Sequence, residues 1–232
     1  MTTLNLLCAG AAQGLVKALQ ERFRADTGAE VQGRFGAVGA MKEALLAGEP
    51  CDVMVVTEAM VDALVADGLL RADRRASLGR VRTGIAVRSG EPKPDVSTPE
   101  ALKAALLAAD AIHFPDPLRA TAGIHFANVM RHLGIHDALR PRFRTTPNGA
   151  TAMRELAATS APRLIGCTQV TEINDTDGVD LVGALPARFE LATVYTAAVS
   201  VKAAQPELAA RFIALIAGPV SQSVRLAGGF EA

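Results

Sequence analysis

The chain has 232 residues, and its 24 basic and 24 acidic side chains give a formal net charge of zero at pH 7. Half of the residues are hydrophobic but only 4% are aromatic, a composition typical of close-packed α/β layers and incompatible with intrinsic disorder. The balanced charge leaves no broad basic field to attract a polyanion. We therefore expect no nucleic-acid partner.

The first part of the chain alternates short apolar runs with amphipathic segments. The order β-α-β-α-β-α predicts a parallel sheet with right-handed crossovers. An arginine-rich run at 71–82 is interpreted as mostly solvated. The predicted strands cover 4–8, 31–35, 53–56 and 80–87, and the predicted helices cover a segment that ends at Gly28, 40–47 and 59–66.

A Gly- and Pro-rich loop at 89–95 separates this part from a second α/β unit. Its predicted helices are 99–109, 121–133 and 149–158, and its predicted strands are 111–114, 142–145 and 164–167. A β-prone run at 191–201 precedes two helices at 206–217 and 220–226. We expect lobe one to comprise 1–82 and 197–232, lobe two to comprise 83–196, and the two β-prone runs to connect them.

Small residues dominate the turns that follow the predicted strands. Helix N-termini at the carboxyl ends of parallel strands present unpaired N–H groups, and Gly or Ala lets a ligand approach the backbone closely. The pattern favours an anion site, with ordinary tight turns and helix caps as the alternative. The turns are 10–12, 36–40, 116–123 and 148–151.

Motifs of other functional classes are missing. The sequence has no phosphate loop of nucleotide hydrolases, no dinucleotide-binding glycine motif, no G-x-S-x-G and no H-E-x-x-H. His132 and His136 have helical spacing, but Gly134 between them breaks the helix, and we expect His113 and His125 to be a strand residue and a helix-surface residue. We expect no metal and no cofactor.

The three cysteines, Cys8, Cys51 and Cys167, lie far apart and are expected to be reduced core residues. The sequence as written lacks a signal peptide, which predicts a cytoplasmic protein, or a periplasmic one if a leader was removed. No apolar stretch reaches the roughly 20 residues of a membrane-spanning helix. We expect no membrane insertion.

Several segments together resemble the type II periplasmic solute-binding proteins, in particular their molybdate-binding-like branch, whose relatives include aconitate isomerase. The resemblance implies two α/β lobes, each a mostly parallel sheet flanked by helices, with two crossover hinge strands and an anion in the interlobe cleft. The segments are Cys8-Ala9-Gly10-Ala11, 35–40, 46–53, 93–98, 116–123, 147–150 and Val194-Tyr195.

In true molybdate binders the first two ligand loops supply serine hydroxyls, whereas this chain has Ala, Gly and Val there. Such proteins also carry a tyrosine after the penultimate strand of lobe two. In this chain residues 165–169 stand there, and none of them is a tyrosine. We therefore expect an organic carboxylate as ligand, with Arg119 forming a bidentate pair with it. The expected ligand-binding residues are Ala11, Ala12, Gly36, Val38, Gly39, Thr57, Asp116, Arg119, Thr121, Gly149, Ala150, Gln169 and Tyr195.

We expect a non-catalytic, monomeric binding protein for a small anion, with the membrane subunit of an ABC transporter as partner if the protein is exported. The alternative is an isomerase of a small di- or tricarboxylate on the same scaffold. An allylic proton shift needs a base, and the available candidates are Asp116, Glu172, Glu58 and Tyr195. A free-standing repressor is excluded, since residues 1–30 offer no helix-turn-helix.

Overall fold

The computed structural model describes residues 2–232, which form two compact units. Unit 1 comprises the described residues through Val81 together with Thr193–Ala232, and unit 2 comprises Arg82–Ala192. The chain leaves unit 2 after residue 192, whereas the boundary predicted from the sequence lies after residue 196. Tyr195 therefore lies in unit 1.

Strands and helices alternate along most of the described chain. In chain order they are β1 (Thr3–Ala9), α1 (Gln13–Thr27), β2 (Glu30–Gly36), α2 (Val38–Leu46), β3 (Val53–Thr57), α3 (Glu58–Ala66), β4 (Leu70–Arg88), α4 (Pro99–Ala108), β5 (Ala111–Pro115), α5 (Thr121–His132), α6 (His136–Leu139), β6 (Phe143–Thr146), α7 (Gly149–Ala158), β7 (Leu164–Gln169), α8 (Val170–Asn174), β8 (Val179–Ala184), β9 (Ala192–Ser200), α9 (Pro206–Ala217) and α10 (Gln222–Gly228).

The sheet of unit 1 has the strand order β2-β1-β3-β9. β1 is parallel to β2 and β3, as predicted, while β9 is antiparallel to β3. The apolar residues 53–56 of β3 are fully buried, and Phe23 of α1 packs edge to face against Phe212 of α9, with ring centroids 5.0 Å apart. The carboxyl ends of the three parallel strands meet at one edge of this sheet.

In unit 2, β5 lies between β6 and β7 and is parallel to both. β4 is antiparallel to β7 and to β8. Phe114 of β5 packs between Phe126 of α5 and Phe143 of β6, with ring centroids 5.6 and 5.1 Å apart. The parallel arrangement again collects three carboxyl ends, those of β5, β6 and β7, at one edge of the sheet.

Some boundaries differ from the sequence predictions. The run at 71–82 belongs to the long strand β4, where Arg74 and Arg75 form ion pairs with Glu207 and Asp62. α2 begins at Val38 instead of residue 40, because Ala37 has the extended backbone of an N-cap. The last helix begins at Gln222, after a 3-10 turn that starts at Pro219.

Three elements were not predicted. α6 and α8 have only four and five residues, too few to show a helical period. β8 pairs with β4 and is mostly half-buried, so its sequence lacks the apolar run of a central strand.

All three cysteines are buried with free thiols, which confirms their predicted place in the core. Burial raises the pKa of Cys8 and Cys167 well above the ordinary range and that of Cys51 to about 12. Among the helices of residues 2–232, none combines the length and apolarity needed to cross a membrane.

The carboxylate of Asp52, which is 1% exposed, connects three elements of unit 1. It accepts hydrogen bonds from the backbone N–H of Asn5 at 2.8 Å, from the Asn5 amide at 3.2 Å and from the backbone N–H of Gln205 at 2.9 Å. Gln205 is the N-cap of α9. One side chain thus joins β1, the segment before β3 and the start of α9.

We expect Asp52→Ala to lower the free energy of unfolding by about 2–4 kcal/mol, because the backbone N–H groups of Asn5 and Gln205 and the Asn5 amide lose a buried charged acceptor. Urea denaturation measures this change. Asp62→Ala is the control, since Asp62 is exposed and pairs with an exposed arginine; its effect should stay within about 0.5 kcal/mol. Equal effects of the two substitutions would contradict the assigned role of Asp52.

Candidate anion-binding site

In unit 1, the turn after β2 leads into a helix start that lacks a side-chain cap. The N-cap of α2 is Ala37, which offers no side-chain acceptor. The first backbone bond of the helix runs from Met41 N to Ala37 O at 3.0 Å, so the N–H groups of Val38, Gly39 and Ala40 precede it. Gly39 and Ala40 are half-buried. These groups form a donor set that an anion can use.

The turn after β1 is a 3-10 helix, Gly10–Ala12, that continues into α1. Its N-cap, Ala9, also has no side-chain cap bond. Ala11 and Ala12 are 4% and 0% exposed, and Gly36 at the end of β2 is buried as well. The predicted residues of these two turns thus contribute backbone and small side chains, and no hydroxyl.

In unit 2, the start of α5 also lacks a side-chain cap. Its N-cap is Ala120, and its first backbone bond runs from Ile124 N to Ala120 O at 2.9 Å. The N–H groups of Thr121, Ala122 and Gly123 precede that bond. Because α5 has three turns, its dipole adds a positive potential at this end.

The loop before α5 is held in place by Asp116 and by a close backbone approach. Asp116 N donates to Thr146 O at 2.7 Å, and the Asp116 carboxylate accepts from Leu118 N at 2.7 Å. A Cβ at Gly123 would overlap the carbonyl oxygens of Pro115 and Asp116, so only glycine lets the helix start this close to the strand end. Arg119, in the same loop, is exposed.

The start of α7 differs, because the chain's own side chains occupy it. Asn148 is the N-cap, and its side chain accepts from Thr151 N at 2.9 Å. The Glu172 carboxylate accepts from Ala150 N. A Cβ at Gly149 would overlap Thr168 Oγ1 and Glu172 Oε2. Two predicted ligand residues, Gly149 and Ala150, therefore contact an internal carboxylate.

The Glu172 carboxyl group is buried, and burial raises its pKa. Hydrogen bonds from the Thr168 hydroxyl and from the backbone N–H groups of Gln169 and Ala150 act in the opposite direction. This group was one of the candidate bases for proton transfer. The sequence carries no signal for its contact with α7, since Gly149 and Glu172 lie far apart along the chain.

Thr57 and Tyr195, both predicted to bind ligand, are direct partners in the antiparallel pair of β3 and β9. Thr57 is the N-cap of α3, with its hydroxyl 3.4 Å from Met60 N, and Tyr195 is 2% exposed. Glu58, another candidate base, is exposed in the first turn of α3. Thr57 therefore stands at a helix start that already has a side-chain cap.

Gln169 is the last residue of β7 and is 3% exposed. Its partner across the β4–β7 pair is Thr83, which is 1% exposed. Neither the Gln169 amide atoms nor the Thr83 hydroxyl has a hydrogen-bond partner among residues 2–232. Gln169 is one of the ligand residues predicted from the sequence, whereas Thr83 is not.

The histidines and the other potential metal ligands among residues 2–232 do not cluster into a metal-binding site. His113 is buried in β5, as predicted, whereas His125 is half-buried and its Nε2 lies 2.7 Å from Phe189 O, so it is not a simple surface residue. Within residues 2–232, no group of three or more His, Cys, Asp or Glu side chains could hold a metal ion.

Residues 4–231 match the sequence profile of a family described as bacterial extracellular solute-binding protein. The chain belongs to this family. A curated relative, an aconitate isomerase from a Pseudomonas species, is 27% identical over 223 residues, which cover 94% of this chain and 83% of that protein. The family match confirms the resemblance found in the sequence.

Solved structures show the same fold. The periplasmic molybdate-binding protein of Azotobacter vinelandii superposes with a TM-score of 0.80 at 20% identity, covering 99% of each chain. The sulfate-binding protein of Mycobacterium tuberculosis gives a TM-score of 0.75 at 17% identity, covering 99% of this chain and 86% of that one. The fold is that of the type II periplasmic solute-binding proteins.

The buried Glu172 carboxyl makes a pH-dependent contribution to stability. Because its pKa is raised above the ordinary value of 4.5, the folded state holds this proton more tightly than the unfolded state does. The contribution is fully present below about pH 4.5 and is lost as the pH rises through the folded-state pKa. Glu172→Gln removes the titration and keeps an oxygen acceptor for Ala150 N.

We expect the free energy of unfolding of Glu172→Gln to rise relative to that of the wild type between about pH 4.5 and pH 7. Urea denaturation across this range measures the difference. Glu155→Gln, which removes an exposed carboxylate of α7, is the matched control and should show no such trend. A constant difference between Glu172→Gln and the wild type at every pH would contradict the assignment.

Proposed function

We propose that this solute-binding protein captures a small organic anion with two or more carboxylates, one of which is bound by backbone N–H groups at the start of α5. The observation that carries the proposal is that α5 begins without a side-chain cap, directly after a loop that contains an arginine. α3 and α7 carry side-chain caps, whereas the N-caps of α2 and α5 are alanines without one. Donors without an internal acceptor favour an external anion.

The turns that follow β1 and β2 bear on the type of anion. The turns at Ala11, Ala12 and 36–39 carry no hydroxyl, so they offer no side-chain shell around the four oxygens of a tetrahedral oxyanion. A carboxylate has only two oxygens, which a short row of N–H groups and one arginine can satisfy. The aconitate isomerase relative, whose name implies a tricarboxylate substrate, supports this choice.

Arg119 is the side chain that we propose for direct contact with one carboxylate. It lies in the loop that leads into the uncapped start of α5, where a guanidinium and the helix dipole act on the same negative charge.

Family membership also supports the membrane subunit of a transporter as partner.

We expect citrate or tricarballylate to bind more tightly than molybdate or tungstate. Isothermal titration calorimetry and the thermal midpoint measure this preference, since a ligand at 100 times its Kd adds about 2.7 kcal/mol to folding stability. Sub-micromolar tungstate binding without any heat from carboxylates would contradict the proposal.

We expect Arg119→Ala to weaken carboxylate binding by about 2–4 kcal/mol and to change folding stability by less than about 0.5 kcal/mol. Arg131→Ala is the matched control, because Arg131 is an exposed arginine at the other end of α5. Unchanged affinity in Arg119→Ala would assign the carboxylate to the backbone donors alone.

A second candidate function is isomerisation of a small di- or tricarboxylate. It is favoured by the aconitate isomerase relative, whose similarity spans 94% of the chain. Of the candidate bases, Glu172 is buried and already accepts three hydrogen bonds, while Asp116 is half-buried at the loop before α5. Asp116 is therefore the base that we propose for this alternative.

Proton NMR of aconitate incubated with the protein in D₂O separates the two functions. A binding protein returns the acid unchanged, whereas an isomerase converts it with exchange at the allylic carbon. Loss of conversion in Asp116→Asn with retained binding would support the enzyme. Unchanged aconitate in the presence of demonstrated binding would exclude it.

A further inference from the structure

Unit 2 contains a pair of buried polar side chains that no other part of the described chain satisfies. Both amide atoms of Gln169, Oε1 and Nε2, lack a hydrogen-bond partner within residues 2–232, and so does the hydroxyl of Thr83. The two residues are 3% and 1% exposed. Buried polar groups of folded proteins are nearly always hydrogen-bonded, so two neighbouring side chains without a hydrogen-bond partner require a reason.

The sheet places the two side chains next to each other. Thr83 and Gln169 are directly opposite in the antiparallel pair of β4 and β7, so they point to the same face. Alternation along the strands puts Ile85 and Cys167 on that face as well, and both belong to the core cluster that contains Phe126 of α5.

The same face leads to the start of α5. β5 and β7 are parallel with His113 opposite Gly166, and this register, continued by three residues, brings Gln169 alongside Asp116 at the entrance to the α5 loop. The pair therefore lies beside a helix start whose first N–H groups have no side-chain cap. The uncharged side chains of Thr83 and Gln169 thus lie next to backbone N–H groups that can bind a carboxylate.

We propose that Thr83 and Gln169 form a subsite that recognises a hydroxyl group of the ligand, next to the carboxylate that α5 holds. This inference rests on the proposed function and narrows its ligand class to hydroxy acids. The group must both donate and accept, because the Gln169 amide has a free acceptor and a free donor. A carboxylate only accepts, so it would leave Oε1 unsatisfied.

The expected discrimination is large, because a site built to bond a hydroxyl loses its partner when the ligand lacks one. Citrate and tricarballylate provide the comparison, since they have the same three carboxylates and differ by one hydroxyl. We expect calorimetry to show citrate binding to the wild type at least about tenfold more tightly than tricarballylate.

Gln169→Leu and Thr83→Val remove the polar atoms while keeping similar shapes. Both variants should fold, and their thermal midpoints without ligand should equal or exceed that of the wild type, since each removes an unsatisfied buried group. In each, the preference for citrate should fall below about threefold while tricarballylate affinity is retained. Ser221→Ala, which removes another buried orphan hydroxyl in unit 1, is the control and should retain the full preference.

The outcomes separate this inference from the function on which it rests. Absence of binding by both acids would overturn the proposed function and the subsite together. Equal affinity for the two acids in the wild type, or a citrate preference that survives in both variants, would overturn the hydroxyl subsite and leave carboxylate binding intact. The assignment is supported if the wild type prefers citrate over tricarballylate and the two variants do not.

Discussion

An α-helix begins with N–H groups that cannot be satisfied inside the helix, and this constraint organises the candidate site. Parallel strands followed by helices collect such groups at one edge of each sheet. At α3 the Thr57 hydroxyl caps the helix, and at α7 Asn148 and Glu172 accept from the first turn. At α2 and α5 the N-caps are alanines, and the donors remain available to an anion.

Two buried carboxylates show how the chain uses the same chemistry internally. Asp52 accepts from the backbone at the start of α9, and Glu172 accepts from the backbone at the start of α7. Each joins segments distant in sequence, and Glu172 also occupies an N–H group in the first turn of α7. Asp52 thus stabilises unit 1, and Glu172 restricts where an external acid can bind in unit 2.

The alternation of apolar runs and helical periods was sufficient to predict most strands and helices, because burial imposes those periods directly. The helix that ends at Gly28 and α7 at 149–158 are examples. The antiparallel strand β8 and the short α8 were missed, since neither carries a period of apolar residues.

Turn composition located Gly39 and Thr121 at helix starts but could not separate them from Gly149, because the capping acid Glu172 comes from a distant segment. Thr83 was missed because its significance depends on strand pairing with Gln169.

Backbone amide chemical shifts test the central claim most directly, because they report on each N–H group separately. Citrate is titrated into ¹⁵N-labelled protein. We expect saturable shifts at the amides of Thr121 and Gly123, with little change at Ala150 and Thr151, whose N–H groups already have internal acceptors. Shifts concentrated at Ala150 and Thr151, or none at Thr121 and Gly123 under conditions where calorimetry shows binding, would contradict it.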